Sequence, residues 1–202
     1  MPQRSFGPRF EKAIAAIDAA NAEDPRRIEV DGESVPYELF YARRLTEWIE
    51  RLESDPSEPL LLAARGLHLR RWTIPRDTYP RTRAGYLAWK QRLLEFHAQE
   101  LRPILASCGY PPETIERVTE LVLRTTFPED PEAQTIEDAV TLLFLEHQLD
   151  DLASRTEHKK MVRILRRAWR KISPKARQFA GEMELPPHLR ALVEEALNPP
   201  RP

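Results

Sequence analysis

Apolar residues recur every three or four positions along most of the chain, which is the spacing of amphipathic helices. Tyr41, Leu45, Trp48 and Leu52 form one such stripe. Prolines, glycines and short polar side chains stand where the stripes begin and end. Together they predict nine helices, at 8–22, 36–54, 57–72, 83–107, from 112, 130–154, 158–172, from 174 and from 187.

One short segment departs from the helical pattern. Asp31 and Gly32 stand between two short alternating segments in 27–35, which is typical of a tight β-hairpin. The hairpin is too short to form the core of a sheet. We therefore expect an all-α fold, a single-domain helical bundle over 8–197 with this hairpin attached and with tails at 1–7 and 198–202.

The composition is that of a globular protein, with 41% hydrophobic and 31% charged residues in a chain of 202. No apolar run approaches the roughly 20 residues of a membrane span, and the start of the chain lacks the apolar segment of a secretory signal. The single cysteine, Cys108, excludes a disulfide within the chain. We expect a cytoplasmic protein with no membrane partner.

Charge is balanced overall, at a net −1, but it is unevenly distributed. Residues 62–92 carry eight Lys or Arg and one acid, Asp77, and residues 159–177 carry nine Lys or Arg and no acid. A solvated helix face is the simplest interpretation of the second block. Because the net charge is near zero, no global field favours nucleic acid.

The first basic block combines cations with aromatic residues and one histidine around a proline-rich loop at 73–82. Pro75 and Pro80 exclude helix from that loop. Guanidinium groups suit phosphate and carboxylate oxygens. This stretch therefore predicts a site for a small anionic ligand.

Three polar residues fall on or beside apolar stripes of three different predicted helices, namely His68, His97 and Asp138. A buried carboxylate needs a partner, so we expect a histidine or an arginine beside Asp138. A His/His/Asp set is also able to bind a divalent metal. The alternative is that both histidines are satisfied core residues and Asp138 pairs with a buried arginine.

Several segments resemble known families. YARRLTEWIERL, LAARGLHLRRW, CGYPPETIERVTELV and PEAQTIEDAVTLL are similar in order and style to HD-domain phosphohydrolases. WTIPRDTYP, GYLAWKQRLLEFHA and EDAVTLLFLEH more closely resemble a bacterial and fungal family, domain of unknown function 4202. The first resemblance implies an HD-like all-α fold with a metal site, and the second implies a fold more than a function.

Carried over to this chain, the HD metal site is degenerate. His68 matches the histidine of the His-Asp pair, but Leu69 stands in place of the aspartate, and Tyr41 stands in place of the first histidine. Asp138 matches the distal aspartate, and His97 an additional site histidine. The resemblance thus implies His68, His97 and Asp138 as ligands if a metal is bound, with affinity weakened by Tyr41 and Leu69.

We expect His68, His97 and Asp138 to line a cavity between the third, fourth and sixth predicted helices. His68 is the candidate general acid or base, with Glu137 or Glu146 orienting a histidine. The candidate substrate-binding residues are Arg71, Arg76, Tyr79 and Trp72. The alternatives are loop-anchoring salt bridges for the arginines and core packing for Trp72.

Three functions are compatible with these residues. The first is a small-molecule enzyme that acts on a phosphorylated or carboxylated substrate by His/Asp acid–base chemistry or metal-assisted hydrolysis. The second is a non-catalytic protein that binds or senses an anionic ligand on the same scaffold. The third, RNA or DNA binding through the basic helix faces, is the least favoured, because acids elsewhere offset the basic blocks and no nucleic-acid motif is recognised. Apolar positions of the last predicted helix also permit a homodimer.

Overall fold

The computed structural model describes residues 6–197, so parts of the predicted tails, at 1–5 and 198–202, lie outside the described residues. Within this range the chain forms ten α-helices and one two-stranded sheet, which confirms the all-α prediction. In chain order these are α1 Pro8–Asn21, β1 Arg27–Val30, β2 Glu33–Pro36, α2 Tyr37–Leu52, α3 Glu58–Gly66, α4 Arg83–Ser107, α5 Pro112–Leu123, α6 Pro131–His147, α7 Leu149–Ser154, α8 His158–Lys171, α9 Pro174–Glu182 and α10 Pro187–Leu197.

Short polar side chains set where several helices begin. Ser57, Thr82, Asp130 and Ser173 each accept a hydrogen bond from a backbone N–H in the first turn of α3, α4, α6 and α9, respectively. These caps satisfy donors that have no partner inside the helix. The starts predicted from Ser57 and from Asp130 are therefore confirmed.

The hairpin is present at its predicted place. Its strands are antiparallel, with Ile28 opposite Val35. Asp31 and Gly32 have φ angles of 51° and 83°. Two consecutive residues with positive φ are characteristic of a type I′ turn, which matches the right-handed twist of the strands.

Two predicted helices end earlier than expected. α3 stops at Gly66, and the chain turns through His68 to Arg70, whose φ of 52° is left-handed. A Cβ on Gly66 would lie 2.7 Å from Leu101 Cδ2, so a larger residue there requires the Leu101 side chain to move. The predicted helix at 130–154 is broken at Gln148 into α6 and α7.

The described chain divides into two compact units, one ending at Phe127 and one beginning at Pro128. In the first unit, α3 packs on α2 and α5, α4 packs on α5, and α1 contacts all of α2, α3 and α4. Trp48, Leu62 and Leu101 are among its fully buried residues. The prediction of a single domain stays a prediction.

In the second unit, α6 contacts α7, α8 and α9, and α8 packs along α10. Met161, Leu165 and Leu189 are buried. None of the helices described in either unit is long and apolar enough to cross a membrane.

Candidate functional site

His68 lies in the turn that follows α3, at the edge of the first unit's core. Its ring stacks on Tyr41 of α2, with ring centroids 4.1 Å apart and planes within 13°. The His68 side chain is 22% exposed. The stack on Tyr41 fixes the plane of the imidazole, and the exposure leaves it a route to solvent, as expected for a residue at the border of an apolar face.

A buried carboxylate, Glu38, faces this histidine. The Glu38 side chain is 0% exposed, and its Oε2 lies 3.4 Å from His68 Nδ1. Arg26 Nη2 donates to Glu38 Oε1 at 2.6 Å. Asp24 holds Arg26 in place by accepting from its Nε and Nη2, at 3.0 and 2.8 Å. A carboxylate of α2, and not a residue next to His68 in the chain, thus faces the imidazole.

Glu38 was missed in the sequence although a signal for it exists. It lies three residues before Tyr41 and seven before Leu45, so it is on the same apolar stripe of α2. Asp138 lies on an apolar stripe of α6 in the same way. A carboxylate on a buried stripe requires a partner wherever it occurs.

His97 is the second buried histidine, on the inner face of α4 with 1% exposure, as predicted. Its Nδ1 lies 2.8 Å from the carbonyl oxygen of Leu69, so Nδ1 carries the proton and donates. Its ring centroid is 5.9 Å from that of His68. Burial, together with the charge of a protonated His68, lowers the pKa of His97 to about 3.

The Glu38–His68 pair holds one negative charge at neutral pH. Burial alone would raise the pKa of Glu38, but His68, Arg71 and Arg26 outweigh it, and the pKa lies below its ordinary value. Burial lowers the pKa of His68 despite Glu38. The pair is therefore a carboxylate beside a neutral imidazole, and Nδ1 of His68 is the nitrogen that points at the carboxylate.

A surface pocket of about 410 Å³ lies beside this cluster in the first unit. It is lined by Arg26, Arg71, Trp72, Ile74, Pro75, Arg76, Asp77 and Trp89, and we call it the arginine pocket. Arg26 connects it to the buried cluster, because the same guanidinium that lines the pocket also binds Glu38. His68 and His97 are not among the lining residues.

Arg71 is the cation of this pocket that remains available. Its guanidinium carbon lies 4.9 Å from the centroid of the Trp89 ring. In the described part of the chain, its side chain takes part in no hydrogen bond and no ion pair. The Trp89 indole is itself fixed, because its Nε1–H donates to the carbonyl of Ile74 at 3.0 Å. The Trp89 ring thus supports Arg71 while the edges of the guanidinium stay free.

Arg76 shapes the loop. Its two terminal nitrogens donate to the carbonyl oxygens of Tyr79 and Pro80, at 2.8 and 2.9 Å. Arg76 therefore anchors the loop, but it does so through hydrogen bonds to backbone carbonyls and not through salt bridges to acids. Tyr79 contributes its backbone to this anchor and is not among the residues that line the pocket. Trp72 lines the pocket and is partly exposed, and its role in substrate binding stays a prediction.

One family model matches nearly the whole chain. It is described as Domain of unknown function (DUF4202), and it matches residues 11–193. The chain belongs to this family. The resemblance based on WTIPRDTYP and the two segments quoted with it is therefore confirmed. Arg71 and the first of these segments form most of the arginine pocket. No curated protein and no solved structure matches the chain. The resemblance to HD-domain phosphohydrolases stays a hypothesis.

Asp138 belongs to the second unit of this family member, whereas His68 and His97 belong to the first. The prediction that a histidine or an arginine pairs with Asp138 is wrong. Asp138 Oδ1 instead accepts from Gln134 Nε2 and from the backbone N–H of Ser173, both at 2.8 Å. This carboxylate therefore fixes the start of α9 against α6. Its grouping with the two histidines stays a prediction.

Glu137, the other acid predicted from α6, lies 3.1 Å from the Nζ of Lys171 in the same unit. Glu146 lies 3.2 Å from its neighbour His147. Over residues 6–197, no group of three or more His, Cys, Asp or Glu side chains is arranged so as to hold a metal ion. The predicted acids of α6 thus have partners in their own unit.

The second unit has a pocket of its own, of about 420 Å³. Two pairs stand at its rim, His158 with Glu195 at 2.7 Å and His188 with Asp150 at 3.0 Å. All four side chains are about half exposed or more. Exposed pairs of this kind contribute little to stability. The arginine pocket, with a free guanidinium beside a buried carboxylate–histidine pair, is the stronger candidate.

Proposed function

We propose that this protein binds an anionic small molecule, bearing a phosphate or a carboxylate, in the arginine pocket. The observation that carries the proposal is the guanidinium of Arg71, which lies over Trp89 and takes part in no hydrogen bond or ion pair within the described chain. A guanidinium fork pairs with two oxygens of such a group at once. A volume of about 410 Å³ suits a small molecule.

The walls of the pocket suit a ligand with a flat apolar part. The partly exposed side chain of Trp72 lines it together with Trp89. Aromatic faces contribute both apolar area and a favourable field for cations such as Arg71. An anionic group at Arg71, with the remainder of the molecule against the indoles, uses both the cationic and the aromatic residues of the pocket.

Titration with simple anions tests this proposal. Inorganic phosphate, pyrophosphate and citrate are titrated into the protein and into Arg71→Gln at low salt, with heat of binding as the readout. We expect saturable binding of at least one anion, weakened roughly tenfold or more in Arg71→Gln because a charge-assisted hydrogen bond contributes about 1.5–3 kcal/mol. Arg92→Gln is the matched control, since Arg92 is exposed in the same basic block and lies outside the pocket.

Absence of saturable binding by all three anions contradicts the proposal. Equal weakening in Arg71→Gln and in Arg92→Gln contradicts it as well, because the effect would then be that of net charge alone.

Acid–base catalysis on the bound molecule is the second candidate, and the Glu38–His68 pair favours it. A carboxylate that faces Nδ1–H leaves Nε2 as the free base, which is how enzymes orient a catalytic imidazole. In the HD-like interpretation, Glu38 takes over the part of the aspartate that Leu69 replaces. This candidate stands second because His68 does not line the pocket.

Hydrolysis of p-nitrophenyl phosphate and p-nitrophenyl acetate separates the two candidates. If His68 is a general base, His68→Gln lowers the rate by about 100-fold or more while phosphate binding persists. Unchanged hydrolysis in His68→Gln excludes this catalytic role and leaves the binding proposal intact.

A further inference from the structure

α8 in the second unit carries a row of cations on one side. Its members are Lys159, Lys160, Arg163, Arg167 and Arg170, all exposed, and we call them the basic stripe. At 100° per residue these five positions fall within an arc of about 100° around the helix axis. Met161, Val162 and Leu165, which are buried, lie on the opposite side.

The five members of the basic stripe are without partners among the described residues, since none of their side chains takes part in a hydrogen bond or an ion pair there. The two other cations of α8 are engaged. Arg166 donates to the carbonyl of Ala196 at 3.1 Å, and Lys171 pairs with Glu137. Cations left unpaired in one row, while their neighbours are tied down, form a surface available to an external anion.

The first basic block differs in this respect. Arg65 pairs with Asp18 at 2.6 Å, and Arg70 pairs with Glu100 at 3.0 Å. These two ion pairs tie part of the first block to the first unit. In the second block, by contrast, the five unpaired cations form one row on a single helix among the described residues.

An extended polyanion fits the length of the stripe. From Lys159 to Arg170 the helix rises about 16 Å, a length over which duplex DNA presents about ten phosphate charges. Three of the five cations are arginines, which pair with phosphate oxygens through two parallel hydrogen bonds. Phosphate contacts of this kind fix a protein on nucleic acid without reading its sequence.

A lipid surface or an acidic protein fits less well. A helix that inserts into a membrane needs an exposed apolar face, and here Met161, Val162 and Leu165 are already buried in the protein. A protein interface has an apolar or aromatic centre, and all five positions of the stripe are Lys or Arg. We infer that the basic stripe of α8 binds the sugar–phosphate backbone of nucleic acid without sequence preference.

Salt dependence tests the inference. Fluorescence anisotropy of a labelled 20-base-pair DNA duplex is measured with the full chain between 50 and 200 mM KCl. Five phosphate contacts give a slope of about −4.5 when the logarithm of the association constant is plotted against that of the KCl concentration. The association constant therefore falls about 500-fold over this range. In the triple variant R163Q/R167Q/R170Q two contacts remain, and the fall shrinks to about 12-fold.

The matched control is R81Q/R83Q/R92Q, which removes the same three charges from exposed positions of the first unit. It keeps the steep slope. All six positions are exposed, and thermal unfolding followed by circular dichroism checks that both variants are folded. A shallow slope in the unmodified protein, or the same slope in both triple variants, overturns the inference. Tighter binding to phosphatidylserine vesicles than to DNA overturns it too.

This inference is independent of the arginine pocket. Arg71→Gln leaves the slope on DNA unchanged, and the triple variant of α8 leaves phosphate binding at the pocket unchanged. The two experiments therefore test anion binding at the arginine pocket and nucleic-acid binding by the basic stripe separately.

Discussion

Glu38 Oε2 lies 3.4 Å from His68 Nδ1, and the carboxylate that bears it is 0% exposed. A charge removed from water in this way is retained only where other groups stabilise it. Here Arg26 supplies the opposite charge at 2.6 Å and Asp24 accepts the N–H of Glu38. The hairpin connection, α2 and the turn after α3 are thereby joined at a single carboxylate.

Glu38→Gln tests how much this junction contributes. The amide keeps the shape of the side chain and removes the charge, so Arg26 loses a partner and a buried N–H replaces an acceptor. We expect the free energy of unfolding to fall by about 2 kcal/mol, measured by urea denaturation. In the unmodified protein, Glu38 raises the pKa of His68. In Glu38→Gln this pKa, followed by NMR titration, is therefore lower still.

Glu47→Gln is the control within the same helix. Glu47 pairs with Arg44 on the surface, with its side chain 50% exposed. Pairs of this kind contribute less than about 1 kcal/mol. Similar losses in both variants would show that Glu38 is not the junction described above.

The buried His97 makes stability depend on pH. Its pKa is about 3 in the folded chain, below its value of 6.5 in an unfolded one. Below pH 6.5 the unfolded state therefore takes up a proton that the folded state does not. The contribution of neutral His97 to the free energy of unfolding is fully present above pH 6.5 and is lost as the pH falls. Between pH 7 and pH 5 this loss amounts to about 2 kcal/mol.

Urea denaturation at pH 7 and pH 5 checks this expectation. His97→Gln is less stable than the original at pH 7 but loses about 2 kcal/mol less between the two values. His158→Gln, at an exposed histidine, keeps the full loss. A loss of the same size in His97→Gln would mean that His97 is not the group responsible.

Gly85 marks a close approach between the start of α4 and the proline-rich loop. A Cβ at this position would lie 2.2 Å from the backbone oxygen of Pro80, which also accepts from Arg76. Gly85→Ala forces this backbone apart, and we expect a loss of roughly 1–3 kcal/mol with weaker anion binding at the arginine pocket.

Gly181→Ala is the matched change in α9. A Cβ there meets nothing within 4 Å. Because alanine favours a helix over glycine, stability rises by about 0.5–1 kcal/mol. Thermal and urea unfolding compare the two variants, and a neutral Gly85→Ala would contradict the close approach.

Asp138→Ala separates a structural role from a role in the site. It leaves the N–H of Ser173 without its acceptor, so we expect a loss of about 1–3 kcal/mol. Asp151→Ala, which removes an exposed partner of Arg155, costs less than about 1 kcal/mol. Titration with phosphate decides the second role. Unchanged affinity fits a structural residue, whereas weaker binding in Asp138→Ala alone would support its predicted grouping with His68 and His97.

Elements with strong local signals were predictable. The hairpin turn at Asp31 and Gly32, the capped starts of α3 and α6, and the inner face of α2 each depend on residues within a few positions of one another. Where local signals were weak, tertiary packing determined which side chains are buried. Tyr86 is in line with Leu93 and His97 at helical spacing, yet it is 47% exposed, and Trp89 is buried instead.

The candidate site was predictable only in part. The basic, aromatic stretch at 62–92 indicated an anion pocket, and the buried stripe of α4 indicated His97. The partners were not predictable, because Glu38 and His68 are 30 positions apart and Arg71 and Trp89 are 18 apart. The two basic blocks also differ in their pairing, which depends on acids elsewhere in the chain.

The sequence by itself determined the helices, the hairpin and the cationic loop, because helix spacing, capping and proline restriction act over a few neighbouring residues. Only the tertiary structure decided which charges are neutralised. It buried Glu38 against His68 and Arg26, engaged Asp138 at the start of α9, and left Arg71 and the basic stripe of α8 free. Electrostatic pairing acts through space, so it follows from how the helices pack and not from the order of residues along them.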